Sequence, residues 1–128
     1  MVFPTGEQYE INAGSYSAVI TEVGARLRSF TFDGTELLAT HGPDQAPKGW
    51  EGAHLFPWPN RLRDGRYRLS GQEFQLPINE PARNNANHGL NVGLAWKSLA
   101  HFGDSVRQRV VLWPRRGPGS LPWRSCTS

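Results

Sequence analysis

Turn dipeptides divide this chain into short segments of alternating apolar and polar residues, and this pattern constrains its fold most strongly. Asp33-Gly34, Ser70-Gly71 and Gly103-Asp104 each join two such segments, and dipeptides of this kind are typical of tight β-hairpins. No window keeps the 3.6-residue apolar period of an amphipathic helix. The predicted strands lie within residues 15–23, 27–32, 36–38, 66–69, 73–76, 96–102 and 106–112. The sequence therefore predicts an all-β protein with antiparallel pairing.

Two long loops, residues 40–60 and 77–95, separate the predicted strands. Loops of this length in a compact domain usually carry function. Within the first segment, Tyr16, Ala18 and Ile20 alternate with polar or smaller neighbours, so we expect these three side chains to share one face of the sheet.

Length and composition limit the chain to a small set of protein classes. With 128 residues it is long enough for one domain and one core. No apolar run approaches the roughly 18 residues that a membrane span needs, and the N-terminus lacks the basic and apolar regions of a signal peptide. The single cysteine, Cys126, excludes an intrachain disulfide. We therefore expect a cytoplasmic protein with no membrane partner.

The excess of positive charge lies near the C-terminus. The net charge is +3, and after Gly103 five arginines face a single acidic residue, Asp104. These arginines are Arg107, Arg109, Arg115, Arg116 and Arg124. A basic module that binds nucleic acid would use such a cluster, but no known nucleic-acid motif surrounds it. A strand with a solvated arginine face is the favoured interpretation, and no nucleic-acid partner is predicted.

Three neighbouring residues at the end of the first long loop and directly after it are candidates for ligand binding. Two prolines hold Trp58 in an extended path, and Asn60 and Arg61 follow directly. The planar guanidinium of Arg61 suits adjacent hydroxyls of a sugar as well as carboxylates. The alternative for Arg61 is a structural ion pair with Asp64 or Glu51.

His88 and the tryptophans also have two interpretations. His88 can donate to or accept from a sugar oxygen, although a histidine before glycine also serves as an ordinary loop residue. Trp58 offers a flat apolar surface for the C–H face of a sugar, or it packs in the core. Trp96 begins a predicted strand, so we expect it in the core.

Nothing in the sequence indicates a metal or an organic cofactor. His41, His54 and His101 lack the spacing of a metal site, and one cysteine excludes the usual zinc patterns. No glycine-rich phosphate loop and no nucleophile signature occurs. We expect neither a metal nor a cofactor.

Two motifs resemble the aldose 1-epimerase (galactose mutarotase-like) family. Residues 55–61 read Leu-Phe-Pro-Trp-Pro-Asn-Arg, and residues 87–90 read Asn-His-Gly-Leu. The resemblance implies that residues 1–113 are the N-terminal part of a large antiparallel β-sandwich. It also implies an isomerase of carbohydrate metabolism that interconverts the α and β anomers of free hexoses. Trp58, Asn60 and Arg61 would bind the sugar, and His88 would be a supporting catalytic group.

The resemblance does not extend to the family's principal catalytic groups. In the family these are a glutamate late in the chain and a second histidine in its middle, and neither Glu73 nor Glu80 matches the position of that glutamate. Residues 114–128 are broken repeatedly by Pro and Gly, and we interpret them as an aberrant, disordered tail produced by a truncation or frameshift after about Arg116. The sequence thus predicts an incomplete mutarotase without its acid and base. The alternative is a non-catalytic carbohydrate-binding module.

Overall fold

Short antiparallel strands make up most of the regular structure. The computed structural model describes residues 2–112 and 126–127. The strands are β1 (Gln8–Ala13), β2 (Tyr16–Thr21), β3 (Leu27–Phe32), β4 (Thr35–Glu36), β5 (Arg61–Arg63), β6 (Arg66–Leu69), β7 (Gln72–Gln75), β8 (Asn85–Asn87), β9 (Lys97–His101), β10 (Val106–Val110) and β11 (Cys126–Thr127). Within these residues, one 3-10 turn spans Pro81–Arg83. This part of the chain contains no α-helix, so the prediction of an all-β fold is confirmed.

The first four strands form one antiparallel sheet in the order β1-β2-β3-β4. A two-residue loop, Asp33-Gly34, joins β3 to β4, and both loop residues have positive φ angles of 46° and 75°. These angles belong to the type I′ turn, whose twist matches that of the paired strands. Ser70-Gly71 makes the same kind of connection between β6 and β7, with φ angles of 50° and 77°. These two predicted hairpin turns are confirmed, and β9 and β10 form the third predicted hairpin, in which Val106 pairs with His101 across the loop that contains Gly103-Asp104.

A second sheet has the order β11-β10-β9 and contacts the first through a buried side chain. Gln108 in β10 is buried, and its side-chain amide donates to the carbonyl of Thr21 in β2 at 3.1 Å. Trp96 is 1% exposed and packs with Ala25 and Val110. The predicted core position of Trp96 is confirmed.

Strand β10 has the predicted arginine face. Arg107 and Arg109 are exposed, whereas Gln108, which lies between them, and Val110, which follows them, are buried. This alternation follows from the opposite orientation of successive side chains along a strand. The other three C-terminal arginines lie outside the described residues, as do residues 114–125 and 128 of the predicted tail. Within that tail, β11 pairs with β10.

Two features of the first sheet were not predicted. Strand β1 was not predicted, because only Tyr9 and Ile11 alternate clearly within it. The register of β2 with β3 shifts between Val19 and Ile20, because β3 has an extra residue, Arg28, at this point. Strand β2 pairs with β1 without interruption, so Tyr16, Ala18 and Ile20 lie on one face of the strand, with Tyr16 exposed at the strand end and Ala18 buried.

Two short strands were also not predicted: β5 directly follows the first long loop, and β8 lies within the second. Strand β5 pairs with β8 over three residues, joining Arg61 to Asn87 and Arg63 to Asn85. This pairing connects the two predicted motifs. No helix in the described part of the chain is long and apolar enough to cross a membrane.

Candidate functional site

The segment around Phe56 is held directly against the segment that follows His88. The Leu90 N–H donates to the Phe56 carbonyl at 2.8 Å, and the Phe56 N–H donates to Oδ1 of the fully buried Asn91 at 3.1 Å. Between these contacts, Gly89 has a φ of 75°, and a Cβ there would overlap the Phe56 carbonyl. Only glycine satisfies both conditions without strain.

Asn60 and His88 exchange two hydrogen bonds. The Asn60 N–H donates to Nδ1 of His88 at 3.0 Å, and the His88 N–H donates to the Asn60 carbonyl at 3.0 Å. Both residues have left-handed backbones, with φ angles of 63° and 59°, and asparagine and histidine are among the residues that tolerate this conformation. Because Nδ1 accepts a hydrogen bond, the proton of the neutral imidazole lies on Nε2.

Asn79 supports Asn87, the residue that precedes His88 in the chain. The Asn79 side-chain amide donates to the Asn87 carbonyl at 2.7 Å, and the Asn87 N–H donates to Oδ1 of Asn79 at 2.6 Å. Asn87 also pairs with Arg61 across the β5–β8 ladder. The motif of residues 55–61 and the motif of residues 87–90 therefore form one rigid unit.

Arg61 forms an ion pair with Glu80. Its Nε donates to Oε2 at 2.8 Å, and its Nη2 donates to Oε1 at 2.9 Å. The guanidinium and a further bond from Asn85 hold the pKa of the Glu80 carboxyl down at about 2, and the same carboxylate raises the pKa of Arg61. The sequence suggested Asp64 or Glu51 as the partner of Arg61, and both suggestions were wrong.

The ion pair leaves part of the Arg61 guanidinium accessible. The Arg61 side chain is 41% exposed and that of Glu80 is 22% exposed. Nη1 makes one long contact, donating to Oδ1 of Asn60 at 3.4 Å. The Arg61 and Asn60 side chains therefore present donors and an acceptor to solvent beside His88, a combination that suits vicinal hydroxyl groups.

Trp58 is less accessible than Asn60 and Arg61. Its ring is half-buried, and its Nε1 is buried with no hydrogen-bond partner among the described residues. The structure thus brings Asn60, Arg61 and His88 together, and it sets Trp58 deeper in the loop. The role of each in ligand binding stays a prediction.

A second tryptophan, not identified from the sequence, contacts His88. The ring centroids of Trp50 and His88 lie 4.8 Å apart with an angle of 59° between the planes. Trp50 lies outside both motifs, and no spacing rule links it to His88, so only the folded loop reveals the contact. Among residues 2–112 and 126–127, no group of three or more His, Cys, Asp or Glu side chains could hold a metal ion.

The class of protein follows from comparison with known families. Residues 7–124 match the sequence model of the family described as aldose 1-epimerase. The chain therefore belongs to the aldose 1-epimerase family, as predicted from its two motifs. The match extends to residue 124 and so continues into the predicted aberrant tail, which begins at residue 114.

Individual relatives agree with this assignment. The chain is 46% identical over 113 residues to the uncharacterized protein YihR of Escherichia coli (strain K12), covering 88% of this chain and 37% of that protein. Its fold matches a candidate aldose 1-epimerase from E. coli K12 with a TM-score of 0.74 at 22% identity, over 94% of this chain and 40% of that one.

A second structural relative gives the same fold. A galactose mutarotase-like protein from Clostridium acetobutylicum matches with a TM-score of 0.65 at 27% identity, over 84% of this chain and 36% of that one. The predicted mutarotase-like β fold is confirmed. This chain spans about two-fifths of the length of these relatives.

Proposed function

We propose that this chain binds a free hexose at a surface formed by Asn60, Arg61 and His88, with Trp58 at its rim. The observation that carries the proposal is the pair of hydrogen bonds between Asn60 and His88, each 3.0 Å long. Asn60 and His88 are 28 residues apart in the chain, so these bonds hold the two family motifs in one orientation. A preorganised site loses little entropy when it binds a ligand.

Each side chain has a defined part in this binding. Glu80 holds one edge of the Arg61 guanidinium, so the remaining N–H groups donate to adjacent sugar hydroxyls. The Asn60 amide both donates and accepts, and Nε2–H of His88 donates to a further sugar oxygen. Charged and neutral donors that surround one polar face of a ligand in this way select for hydroxyl-rich molecules.

We further propose that the described residues bind the sugar without interconverting its anomers. Anomer exchange needs one group that removes the C1 hydroxyl proton and another that protonates the ring oxygen. Glu80, with a pKa lowered to about 2 by Arg61 and Asn85, is a poor base near neutral pH. His88 already accepts a hydrogen bond at Nδ1, so it supplies one donor and supports catalysis only where another pair transfers the protons.

Isothermal titration calorimetry with D-glucose and D-galactose tests the binding. Arg61→Ala should weaken binding roughly 10- to 100-fold, because a charged hydrogen-bond donor contributes about 1.5–3 kcal/mol. Arg66→Ala is the matched control, since Arg66 is an exposed arginine on the β6–β7 hairpin. Equal affinities for these two variants, or no binding by the wild-type chain, would contradict the proposal.

Polarimetry of freshly dissolved α-D-glucose separates the two functions that share this site. A chain that only binds sugar should leave the rate of anomer exchange unchanged, even at concentrations where calorimetry detects binding. An accelerated rate that disappears in Arg61→Ala would instead support complete aldose 1-epimerase activity. A cytoplasmic role in carbohydrate metabolism is part of the proposal, and the single cysteine supports it.

A further inference from the structure

Trp50 is a large aromatic residue beside the proposed sugar site that has so far been given no role in binding. Its side chain is 41% exposed, compared with 1% for Trp96 in the core. A tryptophan that remains this exposed on a small domain forgoes much of the free energy that its burial would contribute.

A buried arginine anchors the loop that carries Trp50. Arg26 is 5% exposed, and its Nη1 donates to the carbonyls of Gly49 at 3.3 Å and Glu51 at 3.1 Å. Burial lowers the pKa of Arg26, but the two carbonyls supply acceptors for the buried guanidinium. The loop is therefore anchored by hydrogen bonds at the residues directly before and after Trp50.

A second anchor follows immediately along the chain. The Leu27 N–H donates to the Gly52 carbonyl at 3.0 Å. Gly52 has a φ of 65°, and a Cβ there would overlap the Leu27 carbonyl. The backbone on both sides of Trp50 is thus held by Arg26 and by Leu27, the first residue of β3, so the loop keeps its position relative to His88 without help from a ligand.

The contact between Trp50 and His88 places an apolar surface beside the polar groups of the site. Their ring centroids are 4.8 Å apart, so a hydroxyl that accepts a hydrogen bond from Nε2 of His88 brings the attached sugar ring within reach of the indole. Asn60 and Arg61 offer only polar groups there, and Trp58 has its Nε1 buried. An aldose has a C–H face as well as hydroxyls, and a flat aromatic ring complements that face.

We propose that Trp50 is a substrate-contact residue that stacks on the C–H face of an aldose bound at Asn60, Arg61 and His88. This inference rests on the proposed hexose binding and adds a specificity determinant to the same site. A sugar whose apolar face is interrupted by an axial hydroxyl should stack less well, so Trp50 favours one stereochemistry of the hexose over another.

Fluorine NMR of the full chain labelled with 5-fluorotryptophan tests the contact directly. The resonance that disappears in Trp50→Phe belongs to Trp50, and the one that disappears in Trp96→Phe belongs to the buried control. Titration with D-galactose and D-glucose should shift the Trp50 resonance with the same concentration dependence as the calorimetric signal, and it should leave the Trp96 resonance in place.

Affinity measurements on variants provide the second arm. Trp50→Gln should weaken hexose binding roughly 3- to 10-fold, because an aromatic contact contributes about that factor beyond simple burial, and Trp50→Phe should retain most of the affinity. Phe102→Gln is the matched control, since Phe102 is 66% exposed on the β9–β10 hairpin, and it should bind as the wild type does.

The outcomes distinguish the two proposals. If the wild type binds hexose and Arg61→Ala does not, but the Trp50 resonance stays unshifted and Trp50→Gln binds normally, the role of Trp50 is refuted and the binding site stands. If Trp50→Gln binds weakly while the wild-type Trp50 resonance does not move, Trp50 only supports His88, and the contact with sugar is refuted. If the wild type binds no hexose, both proposals fail together.

Discussion

Replacement of Gly89 by alanine should separate the two motifs that form the site. Gly89 has a φ of 75°, and a Cβ at this position would overlap the carbonyl of Phe56. A left-handed backbone costs a residue with a Cβ about 1–2 kcal/mol, and forcing apart a packed backbone contact costs about 1–3 kcal/mol more. We therefore expect Gly89→Ala to lower the free energy of unfolding by about 2–5 kcal/mol, a large part of what stabilises a small domain.

Comparison with Gly71→Ala isolates the part of the stability loss that is caused by the steric overlap with Phe56. Gly71 has nearly the same φ, 77°, but a Cβ there would meet no atom within 4 Å. It should therefore lose only about 1–2 kcal/mol for the backbone conformation. Urea unfolding followed by circular dichroism measures both variants. If Gly89→Ala and Gly71→Ala differ by less than about 0.5 kcal/mol, which is the size of an ordinary surface substitution, the close approach of Gly89 to Phe56 does not stabilise the fold as argued.

Two further predictions concern the ion pair and the contact between the sheets. The pKa of Glu80 is lowered from 4.5 to about 2, so its stabilising contribution is complete above about pH 4.5 and is lost as the pH falls towards about 2. As the pH falls through this range, the melting temperature should fall less steeply for Glu80→Gln than for the wild type or for Glu73→Gln. Equal slopes for the three proteins would contradict this prediction. Gln108→Leu removes a buried hydrogen bond to Thr21 and should lower the free energy of unfolding in urea by about 1–3 kcal/mol. The control Arg107→Leu changes an exposed neighbour and should lower it little. Similar losses for the two variants would refute the role of Gln108.

The strands that alternate regularly could be predicted from the sequence, and those that depend on long-range contacts could not. The Asp33-Gly34 and Ser70-Gly71 turns specify their hairpins locally, since both residues of each turn adopt positive φ. The pairing of β5 with β8 joins residues more than 20 positions apart. Each of these strands has only three residues, which is too short for alternation to indicate a strand. The bulge at Arg28 in β3 also left no signal, because a bulge depends on how the partner strands pair.

The candidate site was accessible from the sequence only as separate motifs. The order of Asn60, Arg61 and His88 along the chain identified the family, but their mutual geometry depends on the left-handed backbones of Asn60 and His88 and on Asn79. The pairing of Arg61 with Glu80 was missed because Asp64 is nearer in sequence, whereas the 3-10 turn brings Glu80 nearer in space. Trp50 was missed because the buried Arg26 that anchors its loop is far from both motifs in the chain.

Backbone amide NMR of the ¹⁵N-labelled chain during titration with D-galactose tests most directly whether the joined motifs bind sugar. The amides of Asn60, Arg61 and His88 should shift together along a single saturation curve, because hydrogen bonds and strand pairing connect these residues. Those of β6 and β7 should remain in place. Unchanged spectra, or shifts confined to residues away from Asn60 and His88, would contradict the proposed site.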